Sequence, residues 1–273
     1  MFKVIERQKL ASTITLLKLR SPEIAKKVRP GQFVIIRLHE EGERIPLTVN
    51  DFDREGGSIT IVFQEVGKTT KLLGRLNVGD AVADLVGPLG RHTEIEKFGK
   101  VICIGGGVGT AVIYPVTRAL YQAGNEVTGI VGARSKDLLT FVKEMEAVTQ
   151  RLIVTTDDGS MGRHGLVTDP LKEMLQGGEK IDRVIAIGPA VMMKFVCKTT
   201  EPYKVKTIVS LNPIMLDATG MCGVCRVLVG GETKFGCVDG PEFDGHKVDF
   251  DLLINRLQQY LAEEKISLAA IEG

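Results

Sequence analysis

The sequence predicts a small antiparallel β-barrel followed by a doubly wound α/β domain, with a short cysteine-rich region and a terminal helix after them. Three observations lead there. Residues 1–98 hold short β-rich runs cut by Gly and Pro, residues 99–211 alternate strand with helix, and residues 212–273 begin Gly- and Cys-rich and end in helical spacing.

In the first span, residues 12–20 alternate, with Ile14, Leu16 and Lys18 on one side and Thr15, Leu17 and Leu19 on the other. Residues 32–38, 45–49, 58–66 and 81–86 are further β-rich runs, separated by Pro30-Gly31, Gly56-Gly57, Gly79-Asp80 and Gly87-Pro88. One brief helical patch, residues 70–76, interrupts them. The texture changes at Gly99. Strands are expected over 100–104, 126–132, 151–156, 183–187 and 204–211, and helices over 110–122, 136–149, 166–175 and 190–200. The strands are apolar on both faces, as parallel strands covered by helices must be. Residues 212–245 hold one short hairpin, 227–235, and too little apolar surface to hold themselves together, so another agent must staple them. Leu252, Leu253, Leu257, Tyr260 and Leu261 mark a terminal helix over 249–263.

Composition narrows the function classes. The chain has 35 basic and 34 acidic residues, a net charge of +1, so nucleic acid and anionic membranes are not expected partners. No apolar run reaches the roughly 18 residues of a membrane span. Charges lie within the first seven residues with no apolar signal segment, so a cytoplasmic protein is expected. Of five cysteines, Cys103 and Cys197 sit alone in apolar surroundings and read as core, while Cys222, Cys225 and Cys237 cluster. In a chain of this kind such a cluster points to metal or redox chemistry.

Gly105, Gly106, Gly107, Val108 and Gly109 lie between a strand and a helix, where backbone N–H groups and a helix N-terminus can meet a pyrophosphate. A tight strand–helix turn would use the same glycines. Asp157 and Asp158 follow one later strand and Gly188-Pro189 another, at the carboxyl ends where ligands of open parallel sheets gather. After the second strand of this domain, Arg134 and Lys136 suit a ribose 2′-phosphate and Asp137 a free hydroxyl, leaving NAD and NADP both open. In the barrel, Arg44, Pro46, Leu47 and Thr48 end one strand, and Gly67, Lys68, Thr69 and Thr70 open the helical patch; basic groups, hydroxyls and helix N–H groups there suit a second pyrophosphate.

Cys222 and Cys225, with two residues between them, can ligate one centre, and Cys237 supplies a third thiolate. Asp217 is separated from Cys222 by four residues, where clusters with C-x4-C-x2-C spacing carry their first cysteine, and is the candidate fourth ligand. Zinc held by cysteine and carboxylate, in a metal-stapled nucleotide-binding module, is the competing non-enzymatic reading.

The order of barrel, Gly-Gly-Gly-Val-Gly loop and cysteine-rich tail resembles the ferredoxin–NADP reductase superfamily over nearly the whole chain, and within it the electron-transfer subunit of dihydroorotate dehydrogenase. There an R-P-x-S/T motif binds FAD; here Pro46, Leu47 and Thr48 match, with Ile45 in the arginine's place and Arg44 displaced by one. Thr69 and Thr70 stand for the Gly-Thr of the pyrophosphate turn, and Val62, Phe63 and Gln64 occupy the strand that faces the adenosine side of FAD. The aspartate at Asp217, in place of a cysteine, is similar to the small (alpha) subunit family of NADH-dependent reduced ferredoxin:NADP+ oxidoreductase, also called sulfide dehydrogenase. That resemblance implies FAD, a 2Fe–2S cluster on Asp217, Cys222, Cys225 and Cys237, NAD(H) at the glycine loop, and a larger flavin/iron–sulfur partner in an electron-bifurcating heterodimer. No side chain is expected to act as an acid or base. The dihydroorotate dehydrogenase subunit itself and a free-standing diaphorase are the alternatives with the same cofactors.

Overall fold

A computed structural model describes residues 2–271; residues 1, 272 and 273, at the outer ends of the expected first and third spans, lie outside the described residues. The barrel comprises β1 (Phe2–Ala11), β2 (Ile14–Arg20), α1 (Pro22–Lys27), β3 (Phe33–Arg37), β4 (Arg44–Asp53), β5 (Ser58–Gln64), α2 (Lys68–Gly74), β6 (Ala81–Val82) and β7 (Asp84–Leu89). Its strands pair antiparallel in the order β6-β1-β2-β5-β4-β3-β7. β6 and β7, at opposite ends of that order, are separated only by Ala83, whose N–H donates to the Leu38 carbonyl at 3.1 Å, so the ring is nearly closed. Alternate residues fill the interior, among them Leu17, Leu19, Val34, Ile36, Ile59 and Ile61.

Two barrel elements differ from expectation. β1 is a full strand that the apolar pattern did not announce, because Lys3, Glu6, Arg7 and Lys9 leave it mostly exposed and it is held by its ladder to β2. α1 is a second helix, with Pro22 in its first turn.

The α/β domain runs β8 (Lys100–Gly106), α3 (Gly109–Gln122), β9 (Glu126–Ala133), α4 (Val142–Glu146), β10 (Arg151–Thr156), β11 (Arg163–His164), α5 (Thr168–Gln176), β12 (Arg183–Ile187), α6 (Ala190–Thr200) and β13 (Thr207–Ser210). The cysteine-rich region adds the hairpin β14 (Arg226–Val229) and β15 (Glu232–Phe235), then β16 (Glu242–Asp244), α7 (Phe250–Leu257) and α8 (Leu261–Ala269). Gly230 and Gly231, both at positive φ, turn the hairpin. The larger sheet has the order β11-β10-β9-β8-β12-β13-β16, parallel except for β16. β8 is buried on both faces: Ile102 and Ile104 join the core under α5 and α6, Val101 and Cys103 the core under α3. Cys103 and Cys197 are core residues as expected, and burial pushes both thiols up to about 12, which leaves them inert.

Helical spacing over 136–149 yields only a 3-10 turn, Lys136–Leu138, and the short α4. Phe141 between them is left-handed (φ 59°), its ring packed on Tyr114 at 5.5 Å; tertiary packing overrides helix propensity there. The terminal helix breaks after Leu257, and α8 turns back so that Arg75 of the barrel donates to the Ile271 carbonyl at 3.4 Å. Of the residues whose spacing marks the helix, Leu252, Tyr260 and Leu261 are exposed and Leu253 is buried.

Candidate cofactor and nucleotide sites

The chain enters the larger sheet at β8, works outward through β9 and β10, and returns to β12 on the other side of β8. Loops leaving β8 and β12 therefore diverge, which opens a crevice at the carboxyl ends of the two strands. Gly105–Gly109 and Gly188-Pro189 form its walls. Most of these glycines answer to packing. A Cβ on Gly105 would lie 2.7 Å from Thr110 Cα, one on Gly109 would run into the Ile187 carbonyl and lie 2.9 Å from Gly188 Cα, and one on Gly188 would lie 3.2 Å from Gly106 Cα. Gly107 is different. It is left-handed (φ 57°), its N–H donates to the Gly132 carbonyl at 2.7 Å, and the space beside its Cα is open. Gly107 and Val108, the N-cap of α3, thus lead into a 14-residue helix whose first N–H groups and dipole favour an anion.

The loops after β9 and β10 are laced together at the same edge. Asp157 N–H donates to the Ala133 carbonyl at 3.1 Å, Asp158 N–H to the Arg134 carbonyl at 3.1 Å, and Lys136 N–H to Ser160 Oγ at 2.8 Å. The Ser160 hydroxyl and N–H hold the Asp158 carboxyl below its ordinary value. The Asp158 side chain is thereby engaged in its own turn, whereas Arg134, Lys136 and Asp137 project into solvent. The sequence reading overlooked Thr140: it is 5 % exposed, and its hydroxyl has no protein partner among the described residues.

In the barrel the decisive feature is a gap between two strands. β4 pairs with β3 from Arg44 to Thr48, and with β5 only from Val49 to Asp53. β5 continues to Gln64 along β2. Beyond the Val49–Ile61 pair, β4 and β5 therefore part. Val49 N–H bonds the Gln32 carbonyl and Glu65 N–H the Thr13 carbonyl, so by the alternation of an antiparallel ladder the backbone groups of Thr48, Val62 and Gln64 point into this gap. Edge N–H and C=O groups of this kind suit a planar heterocycle with its own donors and acceptors.

Side-chain positions here depart from expectation. Phe63 is inside the barrel with its backbone turned to β2, and Val62 packs in the cluster against Ala111 of α3, so Val62 offers a ligand backbone alone and Phe63 neither backbone nor side chain. Thr70 Oγ1 accepts from the N–H groups of Gly67 at 3.0 Å and Val66 at 3.1 Å, capping α2, and Thr69 Oγ1 donates to the Glu43 carboxylate. Both hydroxyls are committed to protein groups. The ladder partners of Arg44, Pro46 and Thr48 are Arg37, Ile35 and Phe33, which share the outer barrel face; Ile45 and Leu47 face inward. Arg44 accordingly reaches the cysteine loop, its Nη1 4.0 Å from Asp217 Oδ1.

That loop rests on the same outer face. Met215, Ala218, Cys225 and Cys237 pack with Phe33 and Ile35, and with Leu89 and Phe235 at the margin. Cys225 Sγ and Cys237 Sγ are 3.2 Å apart and buried, whereas Cys222 is exposed and Asp217 half-exposed. Burial and the neighbouring Cys225 push the Cys237 thiol up to about 11, while the Gly220 N–H directed at its sulfur favours the thiolate. Ala218 (φ 57°), Gly220 (φ 83°) and Gly223 (φ 68°) curl the backbone around this point. Ala218, with a Cβ, holds a conformation that costs about 1–2 kcal/mol and survives where surrounding packing enforces it. Among the described residues, no three His, Cys, Asp or Glu side chains converge as ligands of a single ion would. The buried thiol pair, with Cys222 and Asp217 in the same loop, is the kind of thiolate-rich donor set that iron–sulfur clusters use.

The comparisons agree with this layout. The iron–sulfur cluster binding domain of dihydroorotate dehydrogenase B matches residues 212–249, and the oxidoreductase NAD-binding domain matches residues 103–198. A dihydroorotate dehydrogenase B electron transfer subunit homolog of Thermotoga maritima is 49% identical over 97% of this chain and 93% of its own length. A probable dihydroorotate dehydrogenase B electron transfer subunit of Methanocaldococcus jannaschii is 36% identical over 81% of each. A chain of the NADH-dependent reduced ferredoxin-NADP oxidoreductase, solved in a study of flavin-based electron bifurcation, superposes with a TM-score of 0.94 at 47% identity, covering 100% of this chain and 98% of that one. The P450 reductase GcoB of Amycolatopsis shares the fold alone, at 22% identity, a TM-score of 0.64, and coverage of 74% of this chain and 65% of that one. By descent and by architecture, the chain belongs to the family of dihydroorotate dehydrogenase B electron-transfer subunits, oxidoreductase components that join a barrel, a nucleotide-binding sheet and an iron–sulfur segment.

Proposed function

We propose that the chain moves electrons between NAD(H) and a larger flavin/iron–sulfur partner subunit, by way of FAD on the outer barrel face and a 2Fe–2S cluster in the cysteine loop. The observation that carries this reading is the shared face: the open edge of β4 lies one strand from Phe33 and Ile35, on which Cys225 and Cys237 rest. FAD exchanges a hydride with nicotinamide and single electrons with a cluster, so the protein has to supply position, and no side chain need act as acid or base. Thr48, Val62 and Gln64 offer backbone groups to the flavin, Pro46 flanks it while Leu47 braces the strand from inside the barrel, and in the turn Gly67–Thr70 the N–H groups of Lys68 and Thr69 face its pyrophosphate. Gly107, Val108 and the start of α3 hold the pyrophosphate of the nucleotide between the loops of Asp157 and Gly188. Arg134, Lys136 and Asp137 lie in the loop expected to read its ribose. Asp217, Cys222, Cys225 and Cys237 would hold the cluster, with the Gly220 N–H directed at the Cys237 sulfur.

The 47% identical neighbour and the aspartate at Asp217 favour an electron-bifurcating NADH-dependent ferredoxin:NADP+ oxidoreductase as the assembly. The names of the sequence relatives favour a second reading, with a dihydroorotate-oxidising partner. No described helix is long and apolar enough to cross a membrane. The test is anaerobic purification of the full chain. FAD, iron and acid-labile sulfide in a ratio of one flavin to two irons are expected, with the iron lost in Cys237→Ser. A colourless preparation holding zinc refutes the proposal, and co-purification with a large pyridine-nucleotide flavoprotein rather than a dihydroorotate dehydrogenase separates the two assemblies.

A further inference from the structure

The ladder of β4 with β5 shifts register between Val49 and Asp51, which leaves Asn50 as a bulged residue. Bulges re-aim side chains, and this one sends Asn50, 2 % exposed, out of the barrel into the α/β domain. Its Nδ2 donates to the carbonyl of Ala111, a fully buried residue in the first turn of α3.

That carbonyl is available for a reason written in the helix. An α-helical C=O accepts from the N–H four residues on, and for Ala111 that residue is Pro115, which has no N–H. The proline leaves one buried carbonyl unpaired inside its own helix, and the barrel supplies the missing donor. The next residue, Asp51, accepts from Arg118 Nη2 at 2.6 Å, and the Arg118 guanidinium lies 5.2 Å from the centre of the Tyr114 ring. Two adjacent side chains of one bulge thus grip one helix. Ile14, Val62, Val108 and Phe141 close apolar contacts around Ala111.

The two elements joined are the ones that matter for transfer. β4 borders the open edge assigned to the flavin, and α3 begins at the glycine loop assigned to the nucleotide. We propose that Asn50 is a positioning residue for hydride transfer: through the carbonyl that Pro115 frees, it fixes the glycine loop relative to the barrel edge. This rests on the cofactor assignment above. In the step concerned, the nicotinamide ring gives up one hydride and the flavin accepts it, so a displacement of either ring lowers the rate without altering the chemistry.

Asn50→Ala removes the donor and leaves the Ala111 carbonyl buried and unpaired. Asn50→Ala combined with Pro115→Ala restores an N–H to that carbonyl from within the helix, while the tether stays cut. The full chain is purified anaerobically, and four quantities are read: FAD content, thermal midpoint, the rate of flavin bleaching at saturating NADH, and amide exchange in the first turn of α3. Asn50→Ala is expected to keep its FAD, lose thermal stability, and reduce its flavin roughly tenfold to a hundredfold more slowly. The double variant is expected to recover the thermal midpoint and the slow exchange of α3 while flavin reduction stays slow. Recovery of both together overturns the proposal, because Asn50 would then serve only to satisfy a carbonyl. An unchanged bleaching rate in Asn50→Ala with full FAD content overturns it as well. A wild-type chain that binds no FAD defeats the cofactor assignment and the proposed role in transfer with it, whereas unaltered exchange in Asn50→Ala disproves the tether by itself.

Discussion

Glu242 offers a quantitative test of how the parts of the chain meet. It stands on β16, at the edge of the larger sheet, with Oε1 accepting from Thr93 Oγ1 at 2.6 Å in the segment that leads from the barrel to β8. A Cβ on Gly31 of the barrel would lie 3.3 Å from the same oxygen. Burial raises this carboxyl from 4.5 to about 6, the Thr93 hydroxyl, Arg183 and His92 acting against the shift and Glu94 with it. A carboxyl raised in the folded state binds its proton more tightly there than in the unfolded chain. Its ionised form therefore costs stability, in full above about pH 6 and vanishing below 4.5. At about 1.4 kcal/mol per unit, the shift amounts to about 2 kcal/mol near neutrality and below about 1 kcal/mol near pH 5. Glu242→Gln keeps an oxygen for Thr93 and removes the charge. At about 2 °C per kcal/mol for a chain of this size, the variant is expected to melt about 4 °C higher than wild type near pH 7.5 and under about 2 °C higher near pH 5. The chain has no tryptophan, so far-UV circular dichroism of anaerobic protein is the readout. Comparing variant with wild type at each pH cancels every other titration. An equal gap at the two pH values refutes the buried charge.

Three further outcomes are expected. Gly109→Ala places a methyl against the Ile187 carbonyl and 2.9 Å from Gly188 Cα; calorimetry should show a loss of roughly 1–3 kcal/mol, with weaker NADH binding, and wild-type stability would contradict the packing described. Arg44→Gln removes the cation 4.0 Å from Asp217 Oδ1; an EPR-monitored titration should show a more negative cluster midpoint with FAD content unchanged, whereas loss of FAD at a constant midpoint would return Arg44 to the flavin. Lys204, exposed and left-handed at φ 54°, should gain about 1 kcal/mol on Lys204→Gly, read as a higher chemical-denaturation midpoint.

What could be read from the amino acids followed from how each element is stabilised. The two-faced apolar strands β8, β9 and β12 announced themselves because burial by helices leaves no other residue choice. β1 did not, since cross-strand bonds to β2 rather than apolar burial hold it, and such bonds leave no mark on composition. The run Phe33-Val34-Ile35-Ile36 was legible as a strand, and it carried a second message: an antiparallel strand apolar on both faces needs two cores. Phe33 and Ile35 found theirs under the cysteine loop. At the sites, Cys222, Cys225 and Cys237 were visible from spacing, whereas the positions of Thr69, Thr70 and Arg44 were not. Their residue types suit phosphate, but the competing claims of Glu43, the α2 cap and Asp217 arise only in three dimensions. The role of Asn50 was hidden for a similar reason. A bulge is a property of a pair of strands, and the donor it answers to is missing sixty-five residues later, at Pro115.

The cysteine-rich segment leaves the larger sheet at β13 and rejoins it at β16, so both of its ends are anchored in one body while its apolar underside lies on the other. A strap moored in this way is sheared by any rocking of the barrel against the nucleotide-binding sheet. The shear falls on Met215, Ala218, Cys225 and Cys237, which form the underside. The same four residues that carry the thiol pair are therefore the seam between the barrel and the nucleotide-binding sheet along this face.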